Sequence, residues 1–213
     1  MKIAVLISGR GSNLQSIIDA CNDDGFPAEI SLVISNKADA YGLQRASEAA
    51  IPTKVFNHKD FPTREEFDAA MSAAIEASGA EFICLAGFMR LLSDGFVKSW
   101  RDKLINIHPS LLPSFKGLHV HEQVIERGAR FSGCSVHFVR SAMDEGPIIV
   151  QAVVPVLPDD TPDTLGARVL EQEHIIYPLA IRLIAEEKVR VSGEKAIIDG
   201  YKAPHGSLIN PEK

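Results

Sequence analysis

Cysteine is scarce in this chain, and its three thiols, Cys21, Cys84 and Cys134, lie far apart in apolar stretches with no C-x-x-C spacing among them. That excludes a disulfide framework and a thiolate zinc site, and it fits reduced core residues of a cytoplasmic protein. An excess of basic charge is also missing. With 22 Lys and Arg against 28 Asp and Glu, and a net charge of −6, no basic face is on offer for a phosphate backbone or an anionic membrane. Neither nucleic acid nor a membrane is therefore an expected partner, and any anionic ligand has to be captured locally. Long hydrophobic runs are absent as well. The apolar stretch after Lys2 ends at Ile7, before Ser8 and Gly9, which is too short for a signal peptide, and nothing approaches a membrane span. Without repeats or low-complexity segments, 213 residues of 46% hydrophobic content read as one globular domain. We place it at 1–200, with a polar tail rich in Pro and Gly over 201–213 that is expected to be mobile.

What is present is an alternation of strand and helix patterns. Residues 2–7 read as a buried strand, Gly9-Arg10-Gly11-Ser12-Asn13 as a turn, and Leu14, Ile17, Ile18 and Cys21 as one face of a helix. A strand at Ile30 to Ile34 follows, then a helix from Ala40 to Ala50 with Leu43, Ala46 and Ala50 inward, and a short strand at Lys54 to Phe56. Thr63 and Glu66 have capping-box spacing ahead of a stripe of Phe67, Ala70, Met71, Ala74 and Ile75, which Gly79 stops. Phe82 to Ala86 is the next buried strand, and Ser93 can cap a helix carrying Phe96, Val97 and Trp100. Further on, Phe131 to Val139 and Ile148 to Val156 pattern as an antiparallel pair. A long helix from Asp163 to about Ala185, kinked at Pro178, and a small hairpin over Val189 to Ile198 complete the chain. The fold class expected is a Rossmann-like open, mostly parallel twisted sheet with helices on both faces and an antiparallel strand pair in the C-terminal part.

Chemistry concentrates in Leu104 to Pro113, Leu-Ile-Asn-Ile-His-Pro-Ser-Leu-Leu-Pro. In a strand, alternate residues share a face, so Asn106 and His108 set an amide beside a titratable imidazole at the strand's end, where Pro109 stops the ladder. The plain alternative is a satisfied polar pair at a strand terminus. The glycine turn at 9–13 opens a helix and suits a phosphate, but the third glycine of a dinucleotide fingerprint is replaced by Leu14 and a Walker lysine is lacking. A single phosphate on a small molecule is the better reading, against a turn that merely needs glycine. Gly87-Phe88-Met89-Arg90-Leu91-Leu92 is an apolar loop at the carboxyl end of the sheet, which either covers the core or lines a slot for a flat aromatic ligand. Arg140 to Pro147 is a long loop for a strand pair and carries Asp144, either a functional acid or a turn former. His119 and His121 follow in a loop; with His108 or His137 they could offer zinc ligands, but nothing completes a shell, so no metal is expected.

Four stretches together carry a resemblance: Ile-Ser-Gly-Arg-Gly-Ser-Asn-Leu from Ile7, Ala-Gly-Phe-Met-Arg from Ala86, Asn-Ile-His-Pro-Ser-Leu-Leu-Pro from Asn106 and Asp-Glu-Gly-Pro from Asp144. In these, and in order from Lys2 to about Tyr201, the chain resembles the phosphoribosylglycinamide formyltransferases, folate-dependent enzymes of purine biosynthesis. The resemblance implies formyl transfer from 10-formyltetrahydrofolate to the amine of glycinamide ribonucleotide, with Asn106, His108 and Asp144 catalytic. It implies that Gly11, Ser12 and Asn13 hold the nucleotide's phosphate and Glu173 its glycinamide end. Met89, Arg90, Leu91 and Leu92, together with Asn106, Val139, Arg140 and Asp144, would hold the folate, and Arg64 would meet it too, at its glutamate tail. Leu170 stands where some members carry glutamine. The partners implied are small molecules, with the protein a monomer or homodimer. Two rivals share parts of the pattern: a formyltetrahydrofolate deformylase-like hydrolase, and a non-catalytic phosphate-ligand-binding domain.

Overall fold

A computed structural model describes residues 1–211. Seven strands form one sheet: β1 (Lys2–Ile7), β2 (Glu29–Ser35), β3 (Thr53–Val55), β4 (Phe82–Leu85), β5 (Leu104–His108), β6 (Phe131–Phe138) and β7 (Ile148–Pro155). Their spatial order is β3-β2-β1-β4-β5-β6-β7; β1 to β5 run parallel, and β6 pairs antiparallel to both of its neighbours. The chain winds outward from β1 to β3 and then returns to the other side of β1 with β4. The crevice where ligands bind in open α/β sheets lies at such a reversal, outside the carboxyl ends of the strands.

Helices α1 (Ser12–Cys21), α2 (Tyr41–Glu48), α5 (Val120–Glu126) and α6 (Pro162–Ala185) cover one face, and α3 (Arg64–Ala77) and α4 (Asp94–Ser99) the other. This is why the strand at 2–7 is apolar throughout: Ile3, Val5 and Ile7 enter the first core and Ala4 and Leu6 the second, because no face of a doubly covered sheet meets water. The same alternation sorts β5. Ile105 and Ile107 pack with the α1–α6 side and Leu104 with the α3–α4 side, which leaves Asn106 and His108 on the α3–α4 side.

The caps follow from local chemistry. Thr63 accepts from the Glu66 amide at 3.2 Å, Ser93 from the Phe96 amide at 3.3 Å, and Thr161 from the Thr164 amide at 3.2 Å. Helix α6 runs unbroken from Pro162 to Ala185 with Pro178 inside it. Two expectations change. Ala50 is not inward: α2 ends at Glu48, and Ala50 is exposed in the left-handed region at φ 55°, outside the helical periodicity. The inward place belongs to Gly42, where a Cβ would stand 2.5 Å from Ile7 Cδ1. His119 and His121 are not in an extended loop, since His119 caps α5 from the left-handed region and His121 lies inside that helix. A small separate sheet, β8 (Val189–Ser192) with β9 (Lys195–Ile198), forms the expected hairpin. Residues 201–211 contain neither helix nor strand, and Glu212 and Lys213 of the tail lie outside the described residues.

Candidate active site

Asn106 stands opposite Leu85 of β4 and His137 of β6, so its amide is aimed by strand register rather than by its neighbours in sequence. Its Nδ2 lies 3.4 Å from His137 Nε2, and His137 Nδ1 lies 3.0 Å from the carbonyl oxygen of Phe138. A carbonyl only accepts, so the bonding network assigns the proton of His137 to Nδ1 and a lone pair to Nε2, which takes one N–H of Asn106. Burial pushes His137 down to about 4, outweighing the opposing effects of the Phe138 carbonyl and Asp144, and the ring is neutral at ordinary pH. Asn106 is thereby fixed with its nitrogen toward His137 and a second N–H to spare.

His108 is buried, and both of its ring nitrogens face acceptors. Nε2 is 2.9 Å from the Phe115 carbonyl oxygen, and Nδ1 is 3.4 Å from Asp144 Oδ1, in a pair whose side chains are only 6% and 10% exposed. A ring between a carbonyl and a carboxylate satisfies both in its doubly protonated form. Asp144 itself sits at φ 52°, a left-handed conformation that aspartate adopts more readily than most residues, and its Oδ2 accepts from the Gly117 amide at 2.7 Å. Lys116 Nζ and Glu145 Oε1, 2.6 Å apart, tie the same two loops at the surface. For His108 to donate to a ligand, one of its two protein acceptors has to be exchanged for that ligand.

On the other side of the crevice, Gly11 precedes α1 at φ 69° and no side chain caps the helix, so its first-turn N–H groups stay open to an anion. The glycine is also demanded by packing: a Cβ there would lie 2.6 Å from Gly42 Cα of α2. Asn13 and Glu173 meet directly, Nδ2 donating to Oε2 at 2.7 Å with both residues buried. Burial raises the Glu173 carboxyl, and the Asn13 hydrogen bond partly offsets this. A groove of about 360 Å³ lined by Ser12, Gln15, Ser16, Asp19, Arg45 and His174 opens beside this turn.

The loop after β4 is held by main-chain anchors near its middle and at its far end: the Met89 amide donates to Ser8 Oγ at 2.8 Å, and the Ser93 amide to Asp68 Oδ2 at 2.6 Å. Between them Met89 is 62% and Leu91 58% exposed, so these two side chains do not cover the core. Arg90 lies over the Phe67 ring at 5.5 Å, and Leu92 and Val139 are half-buried against the α3–α4 core. Arg140 is engaged already, through Nη2 with Asp102 at 2.7 Å, Nε with Glu194 at 3.2 Å and Nη1 with the Val139 carbonyl at 3.1 Å. Arg64 is exposed at the first position of α3. His119 is exposed beside Glu122, and among the described residues no three His, Cys, Asp or Glu side chains group as a metal site.

The residues that sequence reasoning missed are Ser8, Asn36, Asp68 and the partnership of His137 with Asn106. A polar residue just past each of two buried strands, Ser8 and Asn36, was a legible signal; the cross-strand pairing of His137 was not.

An open α/β sheet whose crevice holds an uncapped helix N-terminus, an exposed apolar loop and an amide beside an imidazole–carboxylate pair has the groups that a group-transfer enzyme uses. Comparison with known proteins makes the class specific. The formyl transferase family model matches residues 1–181, and the chain belongs to that family. It is 46% identical over 209 residues to the phosphoribosylglycinamide formyltransferase of Haemophilus influenzae, covering 98% of this chain and 99% of that protein. It is also 54% identical over 191 residues to the trifunctional purine biosynthetic protein adenosine-3 of Drosophila pseudoobscura pseudoobscura, covering 89% of this chain but only 14% of the longer protein. Among solved structures, glycinamide ribonucleotide transformylase 1 from Symbiobacterium toebii superposes with a TM-score of 0.91 at 46% identity over 93% of each chain. No helix among the described residues is long and apolar enough to cross a membrane.

Proposed function

We propose that the protein transfers the formyl group of 10-formyltetrahydrofolate to the amine of glycinamide ribonucleotide, a step of purine biosynthesis. The observation that carries the reading is the convergence of Asn106 with the buried His108–Asp144 pair, 3.4 Å apart, at one crevice. The amine lone pair attacks the formyl carbon, and a new N–C bond forms while negative charge develops on the formyl oxygen. The free N–H of Asn106 and the His108 imidazolium stabilise that oxyanion, as preorganised donors do. Asp144, facing His108 Nδ1, helps to relay the proton lost by the amine to the folate nitrogen, whose bond to carbon breaks as the intermediate collapses.

In this reading the phosphate rests on the amides of Gly11, Ser12 and Asn13, with Glu173 near the glycinamide. The folate lies along Met89 to Leu92 with Arg64 at its tail, and Arg140 contributes its main chain, because its guanidinium is occupied. The reading also has the protein working in the cytoplasm without metal, as a monomer or homodimer. The test mixes purified protein with 10-formyltetrahydrofolate and follows folate absorbance with and without glycinamide ribonucleotide. Formyl loss only with the nucleotide, matched by formylated product, is the expected result. Loss without it points to a hydrolase, and ligand binding with no loss to a non-catalytic domain.

A further inference from the structure

The topological reversal of the sheet lies between β1 and β4, and one buried hydroxyl spans it. Ser8, the first residue after β1, accepts the Met89 amide at 2.8 Å and donates to Asn36 Oδ1 at 2.5 Å, Asn36 being the first residue after β2. Ser8 and Asn36 are both buried, and the bond between them is buried with them, while the Met89 bond is partly buried. Ser8 thus joins the start of the glycine turn that leads into α1 to the middle of the apolar loop after β4, across 81 positions of sequence. A hydroxyl has one proton to give. Because Asn36 takes it, the Ser8 lone pairs are turned toward Met89, and the loop is held at the residue whose side chain is most exposed within it.

We propose that Ser8 is a positioning residue for the formylfolate loop, setting the height of Met89 to Leu92 against the nucleotide loop, with Asn36 fixing the direction of its hydroxyl. The inference rests on the functional reading above. It accounts for how an exposed, irregular apolar loop is anchored: Ser8 holds it near its middle, and Asp68 holds the Ser93 amide at its far end.

The experiment compares steady-state kinetics of the unmodified protein, Ser8→Ala, Ser8→Thr and Asn36→Ala. In Ser8→Ala the Met89 amide loses a buried acceptor, so KM for 10-formyltetrahydrofolate should rise roughly tenfold, the equivalent of one such hydrogen bond, while KM for the nucleotide stays nearly unchanged. Ser8→Thr keeps the hydroxyl and should restore the folate KM. Asn36→Ala leaves the acceptor in place but frees its direction, so it should raise the folate KM by a smaller factor, and it carries the test alone if Ser8→Ala does not fold. An unchanged folate KM in the folded variants, or an equal rise for both substrates, would overturn the proposal. If the unmodified protein shows no transfer, the functional reading is what has failed. Ser8 is then judged by calorimetric affinity for folate in the same variants, where equal affinities count against it.

Discussion

Asp144→Asn tests the centre of the site, because asparagine matches aspartate in shape and also tolerates the left-handed backbone found at φ 52°. Unit charges 3.4 Å apart attract by about 5 kcal/mol at an effective dielectric of about 20. Desolvation of a pair this buried cancels much of that, so the net worth of the interaction is about 1.5–3 kcal/mol. The variant also inverts the hydrogen-bond logic. If the asparagine oxygen keeps the Gly117 amide, its NH2 group faces His108 Nδ1, which must then accept. His108 becomes a neutral ring donating from Nε2 to Phe115, and the oxyanion loses its cation. Single-turnover formyl transfer should therefore slow by roughly tenfold to a hundredfold or more at neutral pH. Substrate affinities, measured separately by calorimetry, should change less than the rate, because the proposed role of the pair is at the oxyanion, which develops only in the transition state. Single-turnover rates within about twofold of the unmodified protein at neutral pH would refute the reasoning. So would a loss that appears only in binding.

Other perturbations probe the surroundings of that pair. Asn106→Ala removes an oxyanion donor and should cost about 2.7–4 kcal/mol in the chemical step with little effect on nucleotide affinity; a change confined to KM would show that the amide only binds. His137, held down to about 4 by burial, resists the proton that an unfolded histidine takes up near 6.5, so the unfolded state binds more protons between those values and stability falls as pH drops through them, by about 3 kcal/mol in all. Denaturant melts at neutral pH and near pH 4 should show that decline, and His137→Asn should flatten it; an equally steep decline in the variant would assign it to other groups. Turnover is expected to survive exhaustive chelation, and activity lost to chelator and restored by zinc would require a metal site.

The amino-acid sequence by itself determined the elements and their sidedness. Period-two and period-3.6 apolar patterns are local, so the strand at 2–7, the capped helix after Thr63 and the shared face of Asn106 and His108 were all legible. The glycine at position 11 was legible as a constraint but not as a reason, since packing on Gly42 requires it as much as a phosphate would. The H-x-H at 119–121 misled because a left-handed His119 starts a helix there, a backbone choice that side-chain pattern does not encode. Only the tertiary structure decided who meets whom. Alternation says which face a residue takes but not which strand lies beside it, so the register that sets His137 against Asn106 appears only once β6 is laid antiparallel to β5. The Asp102 and Glu194 partners of Arg140 and the reach of Ser8 to Met89 likewise join residues distant in the chain. Loop closure and sheet order create these contacts, and no local pattern in the chain records them.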